Sequence, residues 1–148
     1  MKALVFEEPQ RAVVREIDRP TIAADEVLVR SRNVGICHSD FELYEGRYII
    51  PVSYPIIPGH EWAGEVAEVG SGVTTLGTGD RVVGECVVNN GDDHFGFSIS
   101  GADAEYFVTK LRRTVALSCS PLYGSTKGKG GSDGPPFPFV MNMKNYWR

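Results

Sequence analysis

Short apolar runs separated by turn residues fill most of the first 117 residues of this 148-residue chain. The runs are rich in valine and partly alternate between apolar and polar positions, which is typical of strands. The turn segments Glu8-Pro9-Gln10, Gly70-Ser71-Gly72 and Gly77-Thr78-Gly79-Asp80 separate them. Six strands are predicted, namely KALVFEE, RAVVREI, EVLVRSRNVGI, WAGEVAEVG, RVVGE and AEYFVT. The pattern predicts a mainly β fold, a small barrel or sandwich with few short helices.

One short helix is predicted between Ser39 and Tyr44, where Ser39 and Glu42 fit an S-x-x-E capping box. The composition changes after Leu117. Residues 118–148 contain five glycines and four prolines and carry a net charge of +3, against −7 for residues 1–117. We therefore expect a folded domain over residues 1–117 and a disordered Gly/Pro-rich tail over residues 118–148.

Composition and charge exclude several classes of protein. The net charge of −4 and the lack of a basic run argue against a nucleic-acid partner. The acidic start and the lack of about 18 consecutive apolar residues argue against a secretion signal and a membrane span, so a cytoplasmic location is expected. Three cysteines without a CxxC motif argue against a disulfide framework and a four-cysteine zinc site. Any metal site here must have mixed ligands.

The segment GICHSD places a thiol, an imidazole, a hydroxyl and a carboxylate at four consecutive positions, Cys37, His38, Ser39 and Asp40. Thiolate and imidazole are ligands that zinc prefers, and a nearby carboxylate can orient them. The alternative is a buried cysteine before a capped helical turn. The residues of this segment alone leave both open.

The segment PGHE presents His60 and Glu61 after Gly59, which permits a tight bend. The alternative is a turn with an exposed histidine and glutamate, and spacing does not prove that Cys37 and His60 share a site. A third group of ligand-type residues comprises Cys86, Asp92, Asp93 and His94. There the segment NNGDDH favours a polar surface turn over a metal site.

Taken in order, GICHSD, PGHEWAGEVAEVG, GDRVVGE and GADAEYFV resemble the catalytic domain of zinc-dependent medium-chain alcohol and polyol dehydrogenases. The resemblance covers residues 1 to about 117 and implies a GroES-like β-barrel. It implies zinc ligation by Cys37 and His60, with Glu61 as a carboxylate that ligates the metal or approaches it transiently. It also implies that Ser39 hydrogen-bonds the substrate oxygen and passes its proton outward, and that Asp40 orients the ligand imidazole.

The implied function is oxidation of an alcohol or polyol by hydride transfer to NAD or NADP, with one catalytic zinc. The segment CVVNNGDDHFGFSISG replaces the family's optional four-cysteine lobe, so no structural zinc is expected. No GxGxxG follows a strand, so we expect no Rossmann domain here, and NAD or NADP only in a full-length form. The chain is then a truncated fragment, inactive alone and prone to self-association or homo-oligomerisation. The alternatives are a non-catalytic GroES-like binding module and a gene remnant.

Overall fold

The computed structural model describes residues 1–50, 52–84, 86–88, 93–110, 114–116 and 140–142. Within these residues the fold is mainly β, with one short helix, as the sequence predicts. In chain order the elements are β1 (Lys2–Glu8), β2 (Arg11–Glu16), β3 (Glu26–Gly35), α1 (His38–Tyr44), β4 (Glu61–Val69), β5 (Arg81–Gly84), β6 (Val87–Val88), β7 (Asp93–His94), β8 (Tyr106–Lys110), β9 (Thr114–Ala116) and β10 (Val140–Asn142).

The six strands predicted from the valine-rich runs are all present. They are β1 to β5 and β8, and their ends differ from the prediction by at most two residues. The predicted turn at Glu8-Pro9-Gln10 closes the β1–β2 hairpin, where Gln10 adopts a left-handed φ of 64°. Residues that accept this conformation or preset a bend therefore do separate the apolar runs.

Strand β3 is the centre of the main antiparallel sheet. β4 pairs along one edge of β3, while β8 and β10 pair with successive parts of the other edge. β5 and then β9 extend the sheet beyond β4. Because side chains from both faces of β3 are covered, Val27, Leu28 and Val29 are all fully buried, without the usual alternation.

Helix α1 follows β3 and is anchored through Leu43, which is fully buried against Phe6, Ile56 and Phe97. Cys37 is its N-cap residue. The capping box predicted for Ser39 and Glu42 is wrong, because the helix begins at His38. Asp40 therefore occupies the third helical position, and its carboxylate accepts the N–H of Cys37 at 2.8 Å.

Of the predicted tail, residues 118–148, the described part is Val140–Asn142, which forms β10 beside residues 33–35 of β3. The domain boundary at residue 117 and the disorder of the other tail residues lie outside the described residues and stay predictions. Within the part of the chain that the structure describes, no helix is long and apolar enough to cross a membrane.

Candidate metal centre

The end of β3 and the start of β4 bring Cys37 and His60 together. The two strands are antiparallel neighbours, and Gly35, the last residue of β3, pairs with Glu61, the first residue of β4. Cys37 follows the end of one strand by two residues, and His60 immediately precedes the other. Both therefore lie at the same end of the sheet, although 23 positions separate them in sequence.

Cys37, His60 and Glu61 present a sulfur, a ring nitrogen and a carboxylate oxygen that all lie within 4.8 Å of one another. The Sγ of Cys37 is 3.1 Å from Nε2 of His60. The His60 side chain is 10% exposed, Cys37 is half-buried and Glu61 is exposed. The cluster is thus anchored inside the protein by the imidazole and opens to solvent beside Glu61.

The ligand atoms of this cluster fit a zinc ion. A tetrahedral zinc with bonds of about 2.0 to 2.3 Å separates its ligand atoms by roughly 3.4 to 3.6 Å. The sulfur and nitrogen already lie near that separation, and a side-chain rotation of the exposed Glu61 adjusts the third distance. Three protein ligands with a fourth position open is the arrangement of catalytic zinc sites, so these residues could hold such an ion.

Gly35 makes room for the carboxylate of Glu61. A Cβ atom at position 35 would lie 2.7 Å from Oε2 of Glu61 and 3.1 Å from its Cβ. Any larger residue would therefore force the side chain of Glu61 to move. Gly35, the first residue of the GICHSD segment, thus leaves space for Glu61 of the PGHE segment. The spacing of the two segments in the sequence does not reveal this contact.

Asp40 contacts both buried ligands of the cluster. Its Oδ2 accepts the backbone N–H of Cys37 at 2.8 Å, and its Oδ1 lies 3.3 Å from Nδ1 of His60. The second contact has the distance of an ion pair without hydrogen-bond alignment, so Oδ1 and Nδ1 are buried with no hydrogen-bond partner. Nδ1 of His60 thus faces Asp40 while Nε2 faces Cys37, an arrangement compatible with the orienting role expected of Asp40, which stays a prediction.

The charges around His60 determine its protonation. Burial lowers the pKa of His60, but the carboxylate of Asp40 and the sulfur of Cys37 raise it by more, so the pKa lies above its ordinary value of 6.5. The raised pKa widens the pH range over which His60 keeps its second ring proton in the metal-free chain. A metal ion must displace this proton to bind Nε2, which makes its affinity depend on pH.

Ser39 and His38, the two residues after Cys37, have different surroundings. The hydroxyl of Ser39 is 2.6 Å from Sγ of Cys37 and 3.4 Å from Nε2 of His60. A hydroxyl at this position can hydrogen-bond an oxygen held beside the two ligands. The side chain of His38 is 86% exposed and lies 3.8 Å from Glu42. Ser39 thus joins the cluster, and His38 does not.

The third group of ligand-type residues is not a metal cluster in the described part of the chain. β6 and β7 pair with each other, and residues 89–92, which include Asp92, lie outside the described residues. The Sγ of Cys86 approaches the carbonyl of Phe95 at 3.6 Å. Burial, with the negative charges of Cys37 and Asp40, raises the pKa of the Cys86 thiol, so its thiolate is disfavoured.

Sequence reasoning missed two residues behind the cluster, Phe97 and Asp103. The ring centroid of Phe97 lies 4.7 Å from that of His60. Asp103 packs on Gly59, where an added Cβ would lie 2.9 Å from the Asp103 carboxyl. Burial, together with the charge of Asp40, raises the pKa of Asp103 to about 7, while His60 acts in the opposite direction. An acidic residue among the small residues of GADAEY could have identified Asp103 from the sequence, whereas no sequence pattern distinguishes Phe97.

Residues 23–118 match the family model of the alcohol dehydrogenase GroES-like domain. An alcohol dehydrogenase from Geobacillus stearothermophilus is 37% identical over 123 residues, covering 72% of this chain and 36% of that protein. A D-altritol 5-dehydrogenase from Agrobacterium fabrum strain C58 is 45% identical over 83 residues, covering 56% of this chain and 24% of that protein.

Solved structures share the fold. A chain from Sinorhizobium meliloti 1021, named as a zinc-binding dehydrogenase and bound to NADP, superposes with a TM-score of 0.73 at 27% identity, covering 78% of this chain and 37% of that chain. The chain thus spans about a third, or less, of the length of the relatives it matches.

Proposed function

The chain belongs to the family of alcohol dehydrogenase GroES-like domains, and we propose that it is the catalytic portion of a zinc-dependent dehydrogenase that oxidises an alcohol or polyol. The observation that carries the proposal is the convergence of ligand atoms from Cys37, His60 and Glu61 within 4.8 Å. The NADP in the Sinorhizobium structure supports NAD or NADP as the hydride acceptor. The name of the D-altritol dehydrogenase supports a polyol substrate. A cytoplasmic location is part of the same proposal.

Each residue of the cluster has a distinct task in this mechanism. Zinc held by Cys37, His60 and Glu61 would supply Lewis acidity, which favours loss of the proton from an alcohol at the open position. Asp40 keeps Nδ1 of His60 turned inward, so that Nε2 faces the cluster. Ser39 would accept the alcohol proton and release a proton towards solvent; its half-buried position 2.6 Å from Sγ of Cys37 supports this role.

Metal analysis after dialysis tests the zinc site. We expect one zinc per chain in the parent and little in Cys37→Ser or His60→Ala. Cys86→Ser is the matched control, because Cys86 is also a half-buried cysteine but contacts the Phe95 carbonyl and not the cluster. Circular dichroism would check that each variant is folded. Parental zinc content in both site variants would refute the assignment.

Hydride transfer in this proposal requires a nucleotide-binding domain in addition to residues 1–117. The acceptor carbon must be held about 3 to 3.5 Å from the donor, and this chain spans 36% of the Geobacillus relative. The assay compares formation of reduced cofactor, with polyols and secondary alcohols, between the zinc-loaded chain and a fusion that carries a cognate nucleotide-binding domain after residue 117. We expect activity in the fusion alone. Zinc-dependent turnover by the unfused chain, abolished by His60→Ala, would contradict the need for a second domain.

A further inference from the structure

The imidazole of His60 is contacted by Asp40 at its Nδ1 edge and by the ring of Phe97. Asp40 contacts the Nδ1 edge at 3.3 Å, but without the alignment of a hydrogen bond. An edge contact of this kind leaves the ring plane free to tilt, because terminal side-chain torsions of histidine are broad. The ring centroid of Phe97 lies 4.7 Å from that of the imidazole, and the two rings are tilted at an interplanar angle of 44°. Contact with this bulky ring therefore limits how far the imidazole can tilt.

Phe97 is itself tightly held. It is 2% exposed and packs in the cluster formed by Phe6, Leu43 and Ile56. The ring of Tyr48 stacks on it at 4.4 Å with an interplanar angle of 12°. Rings at this separation attract each other beyond the effect of area burial alone. Tyr48 therefore stacks on Phe97, and Phe97 contacts the ring of His60, so the three rings are in continuous contact.

Backbone contacts join the segment that carries Phe97 to the segment that carries His60. Gly96, at a φ of 81°, lies so close to Gly59 that an added Cβ would be 3.0 Å from the Gly59 carbonyl carbon. Further along, the N–H of Gly101 bonds to Ile57 O and the N–H of Ala102 to Gly59 O, each at 2.8 Å. These backbone contacts hold the two segments against each other, and so bring Phe97 close to His60.

We propose that Phe97, backed by Tyr48, is a positioning residue of the metal centre, which fixes the imidazole plane of His60 so that Nε2 faces Sγ of Cys37. The inference rests on the proposed zinc site. Phe97 offers no ligand atom, so its effect passes through His60. Residues that orient metal ligands typically change metal affinity by about 10-fold to 100-fold when they are replaced.

Phe95 provides a matched control two residues away. Like Phe97 it is 2% exposed, but it packs with Trp62 and Phe107 in the other core cluster. Phe95→Leu and Phe97→Leu thus remove the same group from equally buried positions. A general loss of packing would affect both variants alike, whereas a positioning role predicts a difference between them.

The first measurement is zinc affinity, by competition with a chromogenic chelator, together with the visible spectrum of the Co²⁺-loaded chain. We expect Phe97→Leu to weaken zinc binding about 10-fold or more and to shift the Co²⁺ bands, and Phe95→Leu to change affinity less than about 3-fold. Tyr48→Phe keeps the stack and should bind as the parent does, while Tyr48→Leu should weaken binding. The Tyr48 pair decides the matter if Phe97→Leu does not fold. Equal affinities in Phe97→Leu and Phe95→Leu would overturn the proposal.

The second measurement separates failure of this inference from failure of the zinc assignment. In the metal-free chain, nuclear Overhauser contacts between the His60 ring protons and Cys37 Hβ report the ring orientation directly. We expect them in the parent and in Phe95→Leu, and expect them to be lost in Phe97→Leu. If the parent binds no zinc, the function proposed above fails while this test still stands. Unchanged contacts in Phe97→Leu would show that Phe97 does not position the ring.

Discussion

The substitution Gly101→Ala would force apart the two segments that meet behind His60. A Cβ atom at this position would lie 2.3 Å from Pro58 O, 2.5 Å from Gly59 O and 2.7 Å from Gly96 Cα. All three are backbone atoms, so no side-chain rotation relieves the overlap. One of the two segments must therefore move, by about an ångström, to reach ordinary van der Waals distances.

The cost of this movement follows from the contacts that it disturbs. Overpacking of a close-packed interior costs about 1 to 3 kcal/mol. The same displacement strains the hydrogen bonds from Gly101 N–H to Ile57 O and from Ala102 N–H to Gly59 O, each worth about 1 kcal/mol. We expect the free energy of unfolding to fall by about 3 to 5 kcal/mol. Zinc affinity should fall as well, because Gly59 immediately precedes His60.

Urea denaturation of the metal-free chain, followed by the fluorescence of the buried Trp62, measures the loss. Gly77→Ala is the matched control, because a Cβ there meets one atom, Asp80 Oδ2, and only at 3.9 Å. Its unfolding free energy should stay within about 0.5 kcal/mol of the parent. A loss below about 1 kcal/mol in Gly101→Ala, with parental zinc affinity, would refute the close packing of these segments.

Two further predictions concern pH. Asp40→Asn should lower the pKa of His60 in the metal-free chain, since the carboxylate raises it; an unchanged NMR titration would contradict this. In the parent, the interaction between Asp40 and protonated His60 stabilises the folded state fully below pH 6.5. This stabilisation is lost as pH rises through the pKa of His60 in the folded state. Asp103 has its pKa raised from 3.8 to about 7, so the parent loses stability as pH rises between these values. Asp103→Asn should therefore have a higher free energy of unfolding than the parent at pH 8, by about 1.4 kcal/mol per unit of pKa shift, but not at pH 4. An equal difference at both pH values would show that ionisation of Asp103 is not the cause.

Strands were predictable where valine-rich runs were long. β3 and β4 carry enough apolar positions between glycine and proline turns to be recognised from sequence. β6, β7 and β9 were missed because strands of two or three residues contain no measurable alternation. Their existence depends on which neighbour they pair with, which local pattern does not encode.

The residues alone predicted the candidate site as two separate motifs, and the resemblance to the dehydrogenase family joined these motifs into one zinc site. Ligand chemistry selected Cys37 and His60, but their approach follows from the pairing of Gly35 with Glu61 in the β3–β4 register. The S-x-x-E pattern at Ser39 misled because α1 begins one residue earlier, which moves the capping carboxylate to Asp40. Phe97 had no distinguishing feature, since an aromatic residue beside a glycine is common in any core.

The packing of residues 96–103 behind His60 also has a consequence during synthesis of the chain. All three candidate ligands lie between residues 37 and 61, yet the backbone bonds to residues 57–59, which directly precede His60, come from Gly101, Ala102 and Asp103. Contacts between such distant positions form late, because the entropy of closing the intervening loop is lost before they contribute. A nascent chain on the ribosome therefore exposes every ligand well before the segment that orders them has emerged. Metal acquisition is expected to follow closure of the sheet, so a free thiol at Cys37 is open to competing metals and oxidants during that interval.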